Sequence, residues 1–378
     1  MDHGFLLFMK YYIITGEASG DLHGSNLMRA LKKVDSAAEF RFWGGDLMLA
    51  ESENIRKHYK DMAFMGFVEV VVNLRKIFKN LSDCKNDLLA NRPDALILID
   101  FPGFNLKIAE FAKRNDIKVF YYISPKVWAW NQKRVLKIKK VVDHMFCILP
   151  FEVDFYDKWG MKVDYVGNPL LDAIAAYPFN SNFRNDNQLD SKPIVAFLPG
   201  SRKQEIERLL PEMVKMQAHF PEKQFVIAGA PTFTAEYYEQ FKQGTQIPVV
   251  FGKTYDLLKN AEAAIVASGT ATLETALLDV PQVVVYKGNP LSIGIAKVLV
   301  KIRFISLVNL IVDKLVVKEL IQDDCNEKNL KAELDSILND EQYRNTMLQN
   351  YDELDQQMGE PGASERTAKL IMEYLSLK

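Results

Sequence analysis

At 378 residues the chain is too long for one ordinary hydrophobic core and suits about two domains. With 48% hydrophobic and 25% charged residues it reads as soluble and globular, and a formal net charge of −2 argues against a dedicated nucleic-acid binder. Three widely spaced cysteines (Cys84, Cys147, Cys325) and five scattered histidines suggest neither a disulfide framework nor a protein-held metal, and no apolar run approaches the roughly 20 residues that span a bilayer.

The N-terminal stretch MDHGFLLFMKYYIIT lacks the positive n-region and small-residue cleavage site of a signal peptide, and Met9 is an alternative start. The expectation is a cytoplasmic protein, or one that sits on a membrane surface. Short apolar runs then alternate with helical patterns: YYIIT, a helix over 22–33, RFWGG, DALILID, the helix LKIAEFAKRN, KVFYYIS, HMFCILP and VDYVGNP. Such runs signal a parallel sheet buried on both faces. The polar, proline-flanked stretch 175–193 is the best domain boundary, after which the pattern restarts with IVAFLPGSR, QFVIAGA, IPVVFG, AAIVASGT and PQVVVYKG. Beyond residue 326 the chain reads as amphipathic helices. The fold class expected is α/β, with two doubly wound, Rossmann-like domains and a ligand cleft between them. The domains are drawn at 1–180 and 190–345, with C-terminal helices over 346–378.

Four loops at strand ends carry candidate chemistry. In TGEASGD (15–21), small residues let the backbone approach a ligand, and Glu17 and Asp21 bracket the loop. An ordinary turn capped by Ser19 or Asp21 is the competing reading. In LILIDFPGFN, Asp100 ends an apolar strand, where a carboxylate is expensive to bury and could serve as a general base. It could instead cap a helix starting near Asn105. In FLPGSRKQEIER, Arg202 offers a cation to phosphate oxygens, or pairs with Glu205 or Glu207 on its own helix. In AAIVASGTATLE, Ser268, Gly269 and Thr270 precede a helix that offers an anion site, with Thr272 in its first turn and Glu274 placed to reach ribose hydroxyls. The competing reading is a capped helix with Glu274 in an imperfectly spaced capping box.

Three segments are basic and apolar together: FMGFVEVVVNLRKIFKN, LSIGIAKVLVKIRFISLVNLIV and the run 133–140 in WNQKRVLKIKKVV. Each suits a membrane interface, and each also suits a core helix with a solvated basic edge.

The motifs GEASGD, FMGFVEV, IDFPGFN, YYISPKVWAWNQKRVLKI, LPFEVDFYDKWG, LPGSR, ASGTATLE, SLVNLIV and KELIQDDC, in this order, resemble the lipid-A-disaccharide synthase family of GT-B glycosyltransferases. The resemblance covers nearly the whole chain from Lys10. It implies transfer of 2,3-diacylglucosamine from UDP to 2,3-diacylglucosamine 1-phosphate, with inversion to a β-1,6 link, in lipid A and lipopolysaccharide synthesis. It further implies a peripheral enzyme on the cytoplasmic face of the inner membrane, and a C-terminal helix packed back on the first domain. On this resemblance Asp100, Arg202 and Asn309 are the catalytic candidates. Arg202, Ser268, Gly269, Thr270, Thr272 and Glu274 would bind UDP, and Glu17, Ser19, Gly20, Phe67, Val70 and Val71 would meet the acceptor. No D-x-D triplet occurs, so neither a divalent metal nor a cofactor is expected. A homo-oligomer is left open.

Some positions depart from the family pattern. Asn168 stands where relatives commonly carry histidine, Gly103 replaces a second acid, and the surroundings of Asn309 lack the usual proline and glycine. The rival readings on the same scaffold are a non-hydrolysing UDP-sugar epimerase and a transferase using a polyprenyl-linked acceptor, as MurG does. A sugar-nucleotide-binding regulator without turnover is the rival from another class.

Overall fold

The runs ALILI (Ala95–Ile99) and IVAFL (Ile194–Leu198) are buried at every position, as a sheet covered on both faces requires. The computed structural model describes residues 9–62, 74–288 and 303–377. The chain divides into two compact units, Met1–Asp172 with Glu360–Lys378, and Ala173–Gly359.

In the first unit, β1 (Lys10–Ile14), β2 (Glu39–Gly44), β3 (Ile55–His58), β4 (Ala95–Ile99), β5 (Lys118–Tyr122), β6 (His144–Cys147) and β7 (Asp164–Tyr165) form one sheet. It is parallel throughout, in the order β3-β2-β1-β4-β5-β6-β7. Alternate side chains feed two cores. Tyr12, Ile14, Leu96 and Leu98 pack on one face with Leu81, Leu88 and Ile108, while Tyr11, Ile13, Ile97 and Ile99 pack on the other with Leu27, Leu31 and Ile371. Each such aliphatic side chain contributes about 1.5–3 kcal/mol when fully buried.

The second unit repeats the plan. β8 (Ile194–Leu198), β9 (Gln224–Gly229), β10 (Val249–Phe251), β11 (Ala261–Ala267), β12 (Gln282–Tyr286) and β13 (Glu319–Ile321) are parallel, in the order β10-β9-β8-β11-β12-β13.

The units part at 172/173 and 359/360, not at the residues drawn from sequence. The polar stretch after Ala175 belongs to the second unit because it is tied there. The Tyr177 hydroxyl and the Asn180 N–H both donate to Asp256, at 2.8 and 2.7 Å, and Phe183 is fully buried. The helix Glu341–Met358 also belongs to that unit, burying Met347, Tyr351 and Leu354. Only the last helix, Ala363–Ser376, packs in the first unit, against helix Ala18–Val34. Asp172 accepts from the N–H groups of Gly362 and Ala363 at its start, and Arg366 donates to the Val166 carbonyl at 2.7 Å.

Each sheet reverses its winding once, between β1 and β4 in the first unit and between β8 and β11 in the second. At both places neighbouring strands end level: Ile14 pairs with Leu98, and Leu198 with Val266. Connections leaving such a pair diverge to opposite faces and open a crevice at the strand carboxyl ends, where α/β sheets bind ligands.

Candidate functional site

The first crevice is lined by carboxylates. Glu17 follows β1 in extended backbone (φ −156°, ψ 172°) and stands at the N-cap of the helix that follows. That helix runs Ala18–Val34, four residues earlier than the sequence pattern suggests, so Ser19, Gly20 and Asp21 lie in its first turn. The early start rests on small residues. A Cβ on Gly20 would come within 2.9 Å of the Thr15 Cβ, and one on Gly16 within 2.2 Å of the Phe101 ring. Neither Ser19 nor Asp21 caps the helix. The Ser19 hydroxyl donates to Glu17 at 2.9 Å. Asp21 is buried and accepts from the N–H groups of Gly45, Leu47 and Met48 at 2.7–3.1 Å, which makes it the anchor of the short helix Asp46–Leu49.

Asp100 leaves β4 in the left-handed region (φ 44°), as does Phe101 (φ 49°). Two successive non-glycine residues there store strain of the kind that collects at functional sites. Asn105 holds the turn by donating to the Asp100 carbonyl at 2.7 Å, and the Tyr121 hydroxyl donates to the same oxygen. The N-cap of the following helix, Pro102–Lys113, is Phe101, so Asp100 does not stand at the cap position. Burial pushes that carboxyl up to about 6, and the neighbouring Glu17 carboxylate pushes the same way, while the Lys126 ammonium and the Phe101 N–H oppose them. Glu17 and Asp100, 83 positions apart in the chain, thus meet at the switch point of one sheet.

The second crevice has the opposite character. Gly200 (φ 102°) turns the chain out of β8 into helix Lys203–Met213. The Arg202 guanidinium lies on Glu205 at 3.2 Å with its side chain 73% exposed. Glu205 also accepts from the N–H groups of Ser201 and Arg202, at 3.2 Å each. A carboxylate of the protein itself therefore occupies these anion-binding donors. After β11, Gly269 is the N-cap of helix Thr270–Leu277, and no described side chain caps that helix. Its first-turn N–H groups point out of the helix start, the arrangement that binds anions. Glu274 takes no part in a capping box. It accepts from the Tyr255 hydroxyl at 2.8 Å, and burial raises it above the usual carboxylate range, partly offset by that hydrogen bond.

Several expected contacts are committed to the protein. The Ser268 hydroxyl donates to the Ile305 carbonyl at 3.1 Å. Thr272 is fully buried and donates to the Gly269 carbonyl at 2.8 Å, which shapes the turn from within. Asn309 is fully buried. Its amide donates to the Val317 carbonyl and Glu319, and its oxygen accepts from the N–H groups of Val316 and Val317, all within 2.8–2.9 Å. Its carboxamide is thus saturated by the protein and ties helix Leu307–Val312 to the strand Glu319–Ile321 and the turn before it.

Sequence reasoning gave no role to Glu319, which accepts from the N–H groups of Ile305 and Ser306 as well as from Asn309. It thereby holds the segment against which Ser268 rests. Asn168 is likewise internal, bridging the Ile148 carbonyl and the Leu170 N–H. Phe67, Val70 and Val71 lie outside the described residues, as do Lys297 and Lys301. Among the described residues no cluster of His, Cys, Asp or Glu is arranged to hold a metal. A cavity of about 330 Å³ lined by Lys192, Lys223 and Gln224 sits at the amino ends of β8 and β9, the wrong end of that sheet for these groups.

Residues 11–372 match the family described as Lipid-A-disaccharide synthetase. A lipid-A-disaccharide synthase of Trichlorobacter lovleyi is 38% identical over 370 residues, covering 96% of this chain and 97% of the relative. One from Syntrophus aciditrophicus is 39% identical over 368 residues, covering 95% and 96%. Among solved structures, the UDP-GlcNAc 2-epimerase of Neisseria meningitidis bound to UDP-GlcNAc superposes with a TM-score of 0.65 at 12% identity, covering 98% of this chain and all of that one. A kitacinnamycin glycotransferase gives 0.64 at 12%, covering 97% and 98%. These structures share the two-unit, Rossmann-like GT-B fold, and at such identity the likeness is one of fold alone.

Proposed function

The chain belongs to the lipid-A-disaccharide synthase family of glycosyltransferases, and we propose from this that it joins UDP-2,3-diacylglucosamine to 2,3-diacylglucosamine 1-phosphate. The product is the β-1,6-linked disaccharide 1-phosphate, with release of UDP. The donor is α-linked and the product β-linked, so one inverting displacement suffices. The acceptor 6-hydroxyl oxygen forms a bond to the anomeric carbon, its proton passes to a base, and the bond from that carbon to the diphosphate breaks. The transition state has oxocarbenium character, by analogy with glycoside hydrolysis.

Asp100 is the base in this reading. The observation that carries it is a partly buried carboxyl at a strand end, lifted to about 6 by desolvation and by Glu17. Such a group is mostly ionised at neutral pH yet basic enough to take a proton in the transition state. Glu17 and the adjoining Ser19–Gly20 turn form the wall that meets the acceptor sugar. On the donor side, the uncapped helix start at Gly269–Thr270 receives the diphosphate, and Arg202 moves from Glu205 to the leaving oxygens. Glu274, braced by Tyr255, takes the ribose hydroxyls. The acyl chains would meet Phe67, Val70 and Val71.

No described helix is long and apolar enough to cross a membrane. Peripheral attachment to the cytoplasmic face of the inner membrane is supported by exposed apolar groups beside cations, Leu74 and Phe78 near Arg75 and Lys79, and Trp130 and Leu136 near Arg134 and Lys137. The proposal needs no divalent metal, and inactivity of EDTA-treated enzyme until Mg²⁺ is restored would overturn that part.

The test is UDP release from UDP-2,3-diacylglucosamine, with and without acceptor, in wild type and Asp100→Asn. Release that needs the acceptor and collapses in the variant supports transfer and base together. Survival in the variant removes Asp100 as base. Conversion of the UDP-sugar with no acceptor present would point to the epimerase chemistry.

A further inference from the structure

Beyond β5 the backbone is forced into an unusual path. Ile123 has φ 66°, a left-handed conformation that β-branched residues rarely adopt. Such a conformation persists only where the surroundings over-determine it. The Ile123 N–H donates to the Phe146 carbonyl at 3.1 Å, and a buried carboxyl ties down the loops just beyond this pair. Glu152 is 1% exposed, at the start of helix Phe151–Asp157. Its Oε1 accepts from the Trp128 indole N–H at 3.3 Å and its Oε2 from the Leu149 N–H at 3.1 Å. Beside it Ser124 and Tyr156 share a hydrogen bond of 2.8 Å, and Trp128 rests edge-on against Phe151 with ring centroids 5.0 Å apart. The loops after β5 and β6 are therefore clamped together through Glu152. Removing one partner would leave a buried donor or acceptor unsatisfied.

Lys126 is the exposed residue just before the short helix Val127–Trp130, two positions ahead of Trp128. We infer that Glu152 is a positioning residue which, through Trp128, fixes the short helix that keeps the Lys126 ammonium beside the Asp100 carboxyl. The inference rests on the reading of Asp100 as base but can fail independently of it. The groups facing Asp100 are Glu17 from the helix after β1, Tyr121 from β5, Lys126, and the N–H of Phe101. Of these Lys126 is the cation, and it favours the ionised form. Facing Glu152 are Ser124, Trp128, Cys147, Tyr156 and Tyr165. Burial pushes Glu152 itself up to about 7, close to Asp100, so a rate profile alone would mix the two groups.

The experiment is a ¹³C carboxyl titration of Asp100 in the full-length protein, its resonance assigned by loss in Asp100→Asn. Lys126→Met is expected to raise the Asp100 titration by about half a pH unit or more. Trp128→Phe keeps an aromatic ring but removes the indole N–H together with the pyrrole half of the side chain, and Glu152→Gln keeps the volume. Both are expected to move Asp100 upward, in the same direction as Lys126→Met. Movement in Lys126→Met with no movement in folded Trp128→Phe or Glu152→Gln overturns the clamp, and an unmoved Lys126→Met overturns it as well. Full acceptor-dependent turnover by Asp100→Asn would instead remove the base and leave the titration result standing.

Discussion

The crevice between β1 and β4 and the crevice between β8 and β11 are built alike and furnished differently. Each lies where a parallel sheet reverses its winding, and each receives a glycine-bearing loop from one strand and a second loop from its neighbour. The first brings together Glu17 and Asp100 and lifts the latter to about 6. The second offers Arg202 and an uncapped helix start. Burial differs as well as sign. A base gains from being drawn out of water, since desolvation is what raises its affinity for a proton. A cation that must follow a departing diphosphate is better left mobile, and Arg202 is mostly exposed and, among the described residues, paired with Glu205. On the proposed reading, the same topology serves proton removal in one unit and anion stabilisation in the other.

If that division of labour holds, the two crevices fail separately. Asp100→Asn should lower acceptor-dependent kcat by about 10²–10⁴-fold while leaving UDP affinity, read by calorimetry, near wild type. A parallel loss of UDP binding would break the comparison. Arg202→Ala should do the reverse in kind. It should weaken UDP binding by about 10–100-fold through a lost charge-assisted contact, with the acid limb of kcat/KM unmoved. A displaced limb would mean that the cation acts on the base as well.

What could be read before any coordinates follows the same physics. The strands were legible because a sheet buried on both faces forces continuous apolar runs, and the doubly wound α/β class follows from their alternation with helices. Asp100 stood out because a charge ending an apolar strand has no cheap explanation, Arg202 as a loop cation suited to phosphate, and Glu274 as an acid one turn into the helix after β11. The start of helix Ala18–Val34 was not legible. Gly20 reads as a loop residue, and its packing reason, the Thr15 side chain, is known only once the turn is folded. Glu152 and Glu319 sit in helix- and edge-strand-like stretches where acids normally face water. Only tertiary structure surrounds them with N–H donors. Asn309 shows the converse, since its family position drew attention while the partners that saturate its carboxamide appear only in the folded chain.

The Asp100 carboxyl should also cost stability, which sharpens the contrast with the exposed Arg202. Folding raises it from 3.8 to about 6, so the native state binds that proton more tightly than the unfolded chain. Its stabilising contribution is complete below about pH 4 and is lost as pH rises through about 6. Asp100→Asn should therefore be more stable than wild type by about 2–3 kcal/mol at pH 8, with the gain fading towards pH 4. Denaturant titrations at the two pH values measure this, and equal gains at both would show that ionisation is not the cause.

Glu17→Gln gives the smallest effect and the finest test of the carboxylate pair. The Glu17 charge raises Asp100, so removing it should lower the Asp100 titration and carry the acid limb of kcat/KM downward by about half to one pH unit. Glutamine keeps a group able to accept from Ser19, which now bonds Glu17 at 2.9 Å, so the local turn is retained. The alternative role for Glu17, a direct contact with the acceptor sugar, predicts a raised acceptor KM with the limb left near pH 6. Because the charge acts on the base and the contact acts on binding, the two appear in different parameters of one pH series. A limb that moves at unchanged KM would make Glu17 a tuning group. A KM that rises at an unmoved limb would leave Asp100 to draw its basicity from burial alone.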